Sequence, residues 1–227
     1  TLSLHDALPI FPYREIASEL PHPSADMLAL LDLAGRTHDA TGGAFDPTVQ
    51  PLWQARRLGQ DEQAAAALVG WRNVLVGPAE IRLARPGMAL TLNGIGQGYV
   101  ADRVAALLEA EGLTDILIDT GEMRALGQRS WPVRTAQGGQ VPLSARALAT
   151  SAPLGTCFDA GGRDGHILDP RTGGPVDSPW GAITISAPSA ALADALSTAA
   201  CLMRDRDALD GLMAAFPAAR LEEAAPA

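Results

Sequence analysis

The sequence predicts an α+β fold, a single domain with a mixed sheet and packed helices. Three observations carry this reading. Strand-like and helix-like segments both occur, but they do not alternate strictly, as a doubly wound parallel sheet requires. No internal repeat is present, which removes solenoids and propellers. The 227 residues are 47% hydrophobic and 19% charged, a composition that supports a buried core and excludes a disordered chain. No composition break marks a second domain. Residues 1–17 carry no clear pattern, 18–220 read as the folded domain, and 221–227 read as a tail. The chain starts at Thr1 rather than a methionine and is read as a fragment whose natural N-terminus is missing.

The elements follow in order. Ser24 suits an N-cap, with Asp26 in the first turn and Met27, Leu30, Leu31 and Ala34 at helical spacing. This helix ends near Asp39, before Gly42-Gly43. Residues 44–59 read as a segment punctuated by proline and glycine around Phe45-Asp46-Pro47, and Asp61 to Leu68 as a short helix. Asn73–Val76, Glu80–Arg85 and Met88–Leu92 read as three strands with turns at Gly77-Pro78 and Pro86-Gly87. A glycine-rich turn at 93–98 opens a helix from Tyr99 to Glu111, with Val100, Val104, Leu107 and Leu108 as its apolar stripe and Gly112 as its stop. Strands are expected at 116–118, 131–135, 146–150, 165–168 and around Ile183 and Ile185. The last strong helix starts at Ser189 and carries Leu192, Leu196, Ala199, Ala200 and Met203.

Composition excludes several chemistries. All 17 basic residues are arginine, which removes a Walker A loop, a Schiff-base lysine and a Ser-Lys dyad. Cys157 and Cys201 stand alone, so neither a zinc site, an iron–sulfur cluster nor a disulfide framework is expected. A formal net charge of −9 argues against nucleic acid as a partner. There is no apolar run of about 18 residues, the length a membrane-spanning helix needs.

Three segments could carry chemistry. The turn Asn93-Gly94-Ile95-Gly96-Gln97-Gly98 lies between a strand and a helix, where backbone N–H groups can face an anion. Its spacing differs from the dinucleotide fingerprint, and it reads equally as a structural turn. Asp194 and Thr198 are four residues apart on one helix face. They read either as an oxygen pair for a hard cation such as Mg²⁺ or as an exposed acid and a threonine bonded to its own backbone. His166 opens the run Ile167-Leu168-Asp169-Pro170, either as a general acid/base or as a half-buried histidine satisfying one hydrogen bond. His5, His22 and His38 show no metal spacing, and no G-x-S-x-G is present.

Taken in order, five segments resemble one family. They are Thr41-Gly42-Gly43-Ala44-Phe45-Asp46-Pro47-Thr48, Leu92-Asn93-Gly94-Ile95-Gly96-Gln97-Gly98-Tyr99-Val100-Ala101-Asp102-Arg103, Ala149-Thr150-Ser151, His166-Ile167-Leu168-Asp169-Pro170-Arg171-Thr172-Gly173 and Ala193-Asp194-Ala195-Leu196-Ser197-Thr198. Together, from about Ser18 to Arg204, they closely resemble the ApbE family of FAD:protein FMN transferases. The form of the glycine turn resembles the subgroup that serves nitrous oxide respiration.

The resemblance implies an Mg²⁺-dependent enzyme that cleaves the pyrophosphate of FAD. It would move FMN to a threonine or serine of an acceptor protein and release AMP. It implies FAD contacts at Ala44, Phe45, Asp46, Thr91, Gln97 and Ile167, metal ligands at Gly94 (main-chain carbonyl), Asp194 and Thr198, and an acid/base or phosphate contact at His166. Thr91 stands where the family usually has aspartate, Gln97 where a charged residue is common, and Gly165 where serine is usual. The implied acceptor is a redox membrane protein, and the implied location is the periplasm, with the export signal upstream of this fragment. Two further readings of the same site stay open: an FAD pyrophosphatase using water, and a non-catalytic FAD-binding protein.

Overall fold

A computed structural model describes residues 19–227. The unpatterned segment 1–17 and His5 lie outside the described residues. The chain divides into two compact units, one containing the described part of Thr1–Leu92 with Leu168–Gly174, the other Asn93–Ile167 with Pro175–Ala227.

In the first unit, helix α1 spans Ala25–Ala40. Ser24 caps it as expected, its Oγ accepting the Met27 N–H at 3.1 Å, and Leu30, Leu31, Ala34 and Thr37 form the buried face. The Pro- and Gly-punctuated segment 44–59 is largely helical. A 3₁₀ turn at Pro47–Val49 runs into helix α2, Gln50–Leu58, which closes on left-handed Gly59. Asp46 with Pro47 starts this segment, the cap-then-proline order that favours a helix N-terminus. Helix α3, Glu62–Ala66, follows its Asp61 cap.

A three-stranded antiparallel sheet completes the unit. Its strands are β1 (Glu19–Pro21), β2 (Val74–Val76) and β3 (Glu80–Leu83), in the order β1-β3-β2. Met88–Leu92, expected as the third strand, is not one; β1 takes that place. Met88 and Leu90 instead pack with Leu31, Ile81 and Leu83 in one apolar cluster. Their alternation reports core packing, which produces the same pattern as a half-buried strand.

The second unit is built on a five-stranded sheet. Helix α4 covers Gly96–Ala110. Strands β4 (Leu117–Asp119), β5 (Met123–Ala125), β6 (Trp131–Arg134), β7 (Gln140–Leu143) and β8 (Ala147–Ser151) follow. The long strand β9 (Trp180–Ala187) leads into helix α5 (Ala190–Cys201), helix α6 (Arg206–Ala215) and strand β10 (Arg220–Pro226). The sheet order is β10-β9-β8-β5-β4. Each of its pairings is antiparallel, where a mixed sheet was expected; the α+β class stands. Residues 221–227, expected as a tail, belong mostly to β10, which pairs along β9. The expected strand at 165–168 shrinks to Leu168–Asp169.

The apolar stripe of α4 needs correction too. Val100 and Leu107 are 44% and 64% exposed, while Gly98, Ala101 and Ala105 are buried. Val104 and Leu108 do pack inward, against Ile118 and Leu126. Helix α4 faces α5, whose own buried surface is mostly alanine. Two small-residue faces let the backbones approach so closely that a Cβ on Gly98 would overlap the Ala190 carbonyl. Gly98→Ala should therefore destabilise the chain by about 1–3 kcal/mol, roughly 2–12 °C in Tm for this size. Thermal denaturation followed by circular dichroism measures it, and an unchanged Tm would refute the close packing.

Candidate functional site

In the first unit, Gly42 and Gly43 turn the chain with φ of 57° and 85°, conformations glycine adopts without strain. The turn is pinned from both sides. Phe45 N donates to Thr41 Oγ1 at 3.0 Å, and His38 Nδ1 lies 2.9 Å from the Phe45 carbonyl oxygen. Ala44 and Phe45 are buried. Asp46 is committed to the loop itself. Its Oδ1 accepts from Thr48 N at 2.8 Å and Thr48 Oγ1 at 2.6 Å, and its Oδ2 accepts from Trp71 N at 3.2 Å. Thr48 Oγ1 in turn accepts from Gly70 N at 2.7 Å. The same loop holds Thr91, whose N–H donates to the Pro47 carbonyl at 2.7 Å. His38, read as uninformative in the sequence, is one of the residues that fix this loop.

In the second unit, Asp194 is 4% exposed on α5. Its Oδ2 accepts the Gly98 N–H at 3.0 Å, so the acid meets the glycine turn directly. Burial pushes its carboxyl up to about 7, and the Gly98 N–H acts in the opposite direction. Thr198 Oγ1 lies 3.2 Å from Ser151 Oγ, which is also 2.8 Å from Ser197 Oγ. Gly94 sits in the turn just ahead of α4. These donors are a carboxylate, a hydroxyl and a main-chain carbonyl. No group of three or more His, Cys, Asp or Glu residues suited to a metal occurs among the described residues. An oxygen set this sparse suits a hard cation that keeps water or substrate oxygens. Gln97 turns to the β4–β5 turn, its Nε2 donating to the Thr120 carbonyl at 2.8 Å.

Glu122 is a residue the sequence reading missed. It is 7% exposed, and its buried Oε2 has no hydrogen-bond partner. Burial first, then the charges of Asp194 and Asp119, push its carboxyl up to about 9. Only its position immediately after Gly121, past a buried strand, could have marked it. Its pKa rises on folding, so the stability it contributes is full below about 4.5 and is lost as pH rises through about 9. Glu122→Gln in chelator should leave Tm nearly unchanged at pH 5 and raise it by several degrees at pH 8–9. A parallel fall of both proteins with pH would refute this.

His166 is partly exposed, and its Nδ1 lies 3.0 Å from the Thr156 carbonyl oxygen. A carbonyl only accepts, so Nδ1 carries the hydrogen and the neutral ring keeps its lone pair on Nε2. Ile167 is buried, its carbonyl accepting from Val176 N at 2.9 Å. Asp169, in the first unit, closes its own turn, accepting from Arg171 Nε at 2.8 Å and Arg171 Nη2 at 2.7 Å.

The segments quoted for the resemblance thus fall on ordered loops, a strand and helices, some in each unit. The ApbE family model matches residues 14–218. The chain belongs to the ApbE family. It is 30% identical to the FAD:protein FMN transferase of Treponema pallidum over 84% of this chain and 63% of that protein. It is 29% identical to that of Salmonella typhimurium over 78% and 59%. The chain therefore spans about three fifths of the curated relatives it matches. Among solved structures, the flavinyl transferase ApbE of Pseudomonas stutzeri aligns with a TM-score of 0.74 at 28% identity, covering 87% of this chain and 68% of that one. The ApbE protein of Thermotoga maritima aligns with a TM-score of 0.74 at 27% identity, covering 88% and 73%. The α+β fold is thus the fold of ApbE flavin transferases.

Proposed function

We propose that this chain is the FAD:protein FMN transferase its family relatives are named for, working with Mg²⁺. The observation that supports it best is the buried Asp194 carboxylate meeting the glycine turn at Gly98 N, with the hydroxyl of Thr198 one helical turn along. Asp194, Thr198 and the Gly94 carbonyl are the residues that would hold the cation. When bound, it would offset pyrophosphate charge, a task for which this chain has no lysine.

The reaction joins the acceptor's hydroxyl oxygen to the FMN-side phosphorus of FAD and breaks the P–O–P bridge, so that AMP leaves with the bridging oxygen. The hydroxyl proton must go elsewhere, because an alcohol is a weak nucleophile near neutral pH. His166 takes it at Nε2, with Nδ1–H anchored on Thr156. Backbone N–H groups at the start of α4 would offset phosphate charge. In the first unit, Thr41, His38 and Asp46 keep the Ala44–Asp46 loop fixed for the nucleotide. The acceptor is a threonine or serine on a redox membrane protein, met in the periplasm.

The test is mass spectrometry of a candidate acceptor after incubation with the protein, FAD and Mg²⁺. One added FMN on a threonine or serine peptide, with one AMP released, supports the proposal. Free FMN and AMP without acceptor labelling would make it a hydrolase, and intact FAD a binding protein.

A further inference from the structure

Helices α4 and α5 are joined by a reciprocal pair of contacts. Gly98 N donates to Asp194 Oδ2 at 3.0 Å. One turn further along α4, Asp102 reaches back to the first turn of α5. Its Oδ1 accepts from Ala190 N at 2.8 Å and its Oδ2 from Ala191 N at 2.9 Å. Those are the first two residues of α5, whose unpaired N–H groups need partners. Ser189 Oγ takes the third, Leu192 N. The N-terminus of α5 is therefore capped mainly from another helix. Arg124 Nε stands 3.4 Å from Asp102 Oδ1, which fixes the carboxylate from the sheet side.

We infer that Asp102 is a positioning residue for Asp194: by clamping the first turn of α5 onto α4, it sets where the Asp194 carboxylate stands relative to the glycine turn. This rests on the reading of Asp194 as a metal ligand. The geometry is specific. Contacts at Gly98 and Asp102, four residues apart on α4, meet contacts at Asp194 and at Ala190 and Ala191, one turn apart on α5. Without Asp102, the two N–H groups at the start of α5 lose these partners. Asp102 touches neither substrate nor metal in this scheme; it acts through the helix.

The test is calorimetric titration with Mg²⁺ in the presence of FAD, using Asp102→Asn, Asp102→Ala and Asp194→Ala beside the parent protein. Loss of a residue that orients a metal ligand costs about 10–100-fold in metal affinity. That loss is expected for Asp102→Ala. A smaller one is expected for Asp102→Asn, whose amide oxygen still caps one N–H. Saturating Mg²⁺ should restore most of kcat, so the defect appears in the Mg²⁺ requirement. A purely structural role would lower Tm and leave the Mg²⁺ affinity of the folded protein unchanged. Unchanged affinity in Asp102→Asn and in folded Asp102→Ala, with binding lost in Asp194→Ala, would overturn the inference alone. Unchanged affinity in Asp194→Ala would overturn the metal reading beneath it. Should Asp102→Ala not fold, Asp102→Asn decides.

Discussion

Asp194→Ala is expected to abolish Mg²⁺-dependent FAD cleavage, while Thr198→Ala retains part of it. Asp194 supplies the single formal negative charge among the three proposed ligands; Thr198 and the Gly94 carbonyl bring only dipoles. For a doubly charged ion that keeps several waters, the carboxylate dominates the attraction. The loss should not be a loss of fold. Burial lifts the Asp194 carboxyl to about 7. A group raised in this way adds stability that is full below about 3.8 and is lost as pH rises through about 7. At pH 8 without metal, the ionised side chain opposes folding. Asp194→Asn keeps an oxygen for Gly98 N–H and carries no charge, so its Tm in chelator should equal or exceed the parent's. AMP release with FAD and Mg²⁺ measures the activity, and thermal denaturation in chelator measures the fold. Parent-level cleavage by Asp194→Ala would reduce α5 to a packing element.

The parts of this structure visible in the sequence are those fixed by neighbours along the chain. Ser24 and Ser189 announce α1 and α5 because a cap and the 3.6-residue period need only local residues. The Asp194–Thr198 pair is legible for the same reason. Strand β10 is not, since Arg220–Pro226 has no apolar alternation; it is a strand because β9 offers it a register from Trp180 to Ser186. In α4, large residues suggested the buried face, yet the close approach at Gly98 selects the small one. Glu122 was invisible because its burial is a property of the assembled sheet and its sequence neighbours are ordinary turn residues. Asp102 lay inside a quoted motif without a role, because its partners are 88 and 89 residues away.

The second large effect concerns His166. His166→Ala should slow FMN transfer by about 10²–10⁴-fold, the scale of a lost general acid/base, with Tm within about 2 °C of the parent. The two readouts separate because the residue is held in two ways. Its main-chain N–H donates to the Thr156 carbonyl at 3.0 Å, beside the bridge between Cys157 and Gly165. Alanine keeps both contacts, so the local chain path survives. The ring adds the Nδ1 contact to the same carbonyl, and loss of such a contact from a partly exposed side chain costs little stability. What disappears is the Nε2 lone pair proposed to accept the hydroxyl proton. FAD binding, followed by flavin fluorescence, should change little, which places the defect in kcat. Transfer at the parent rate in His166→Ala would remove this histidine from the mechanism and leave the proton to another base.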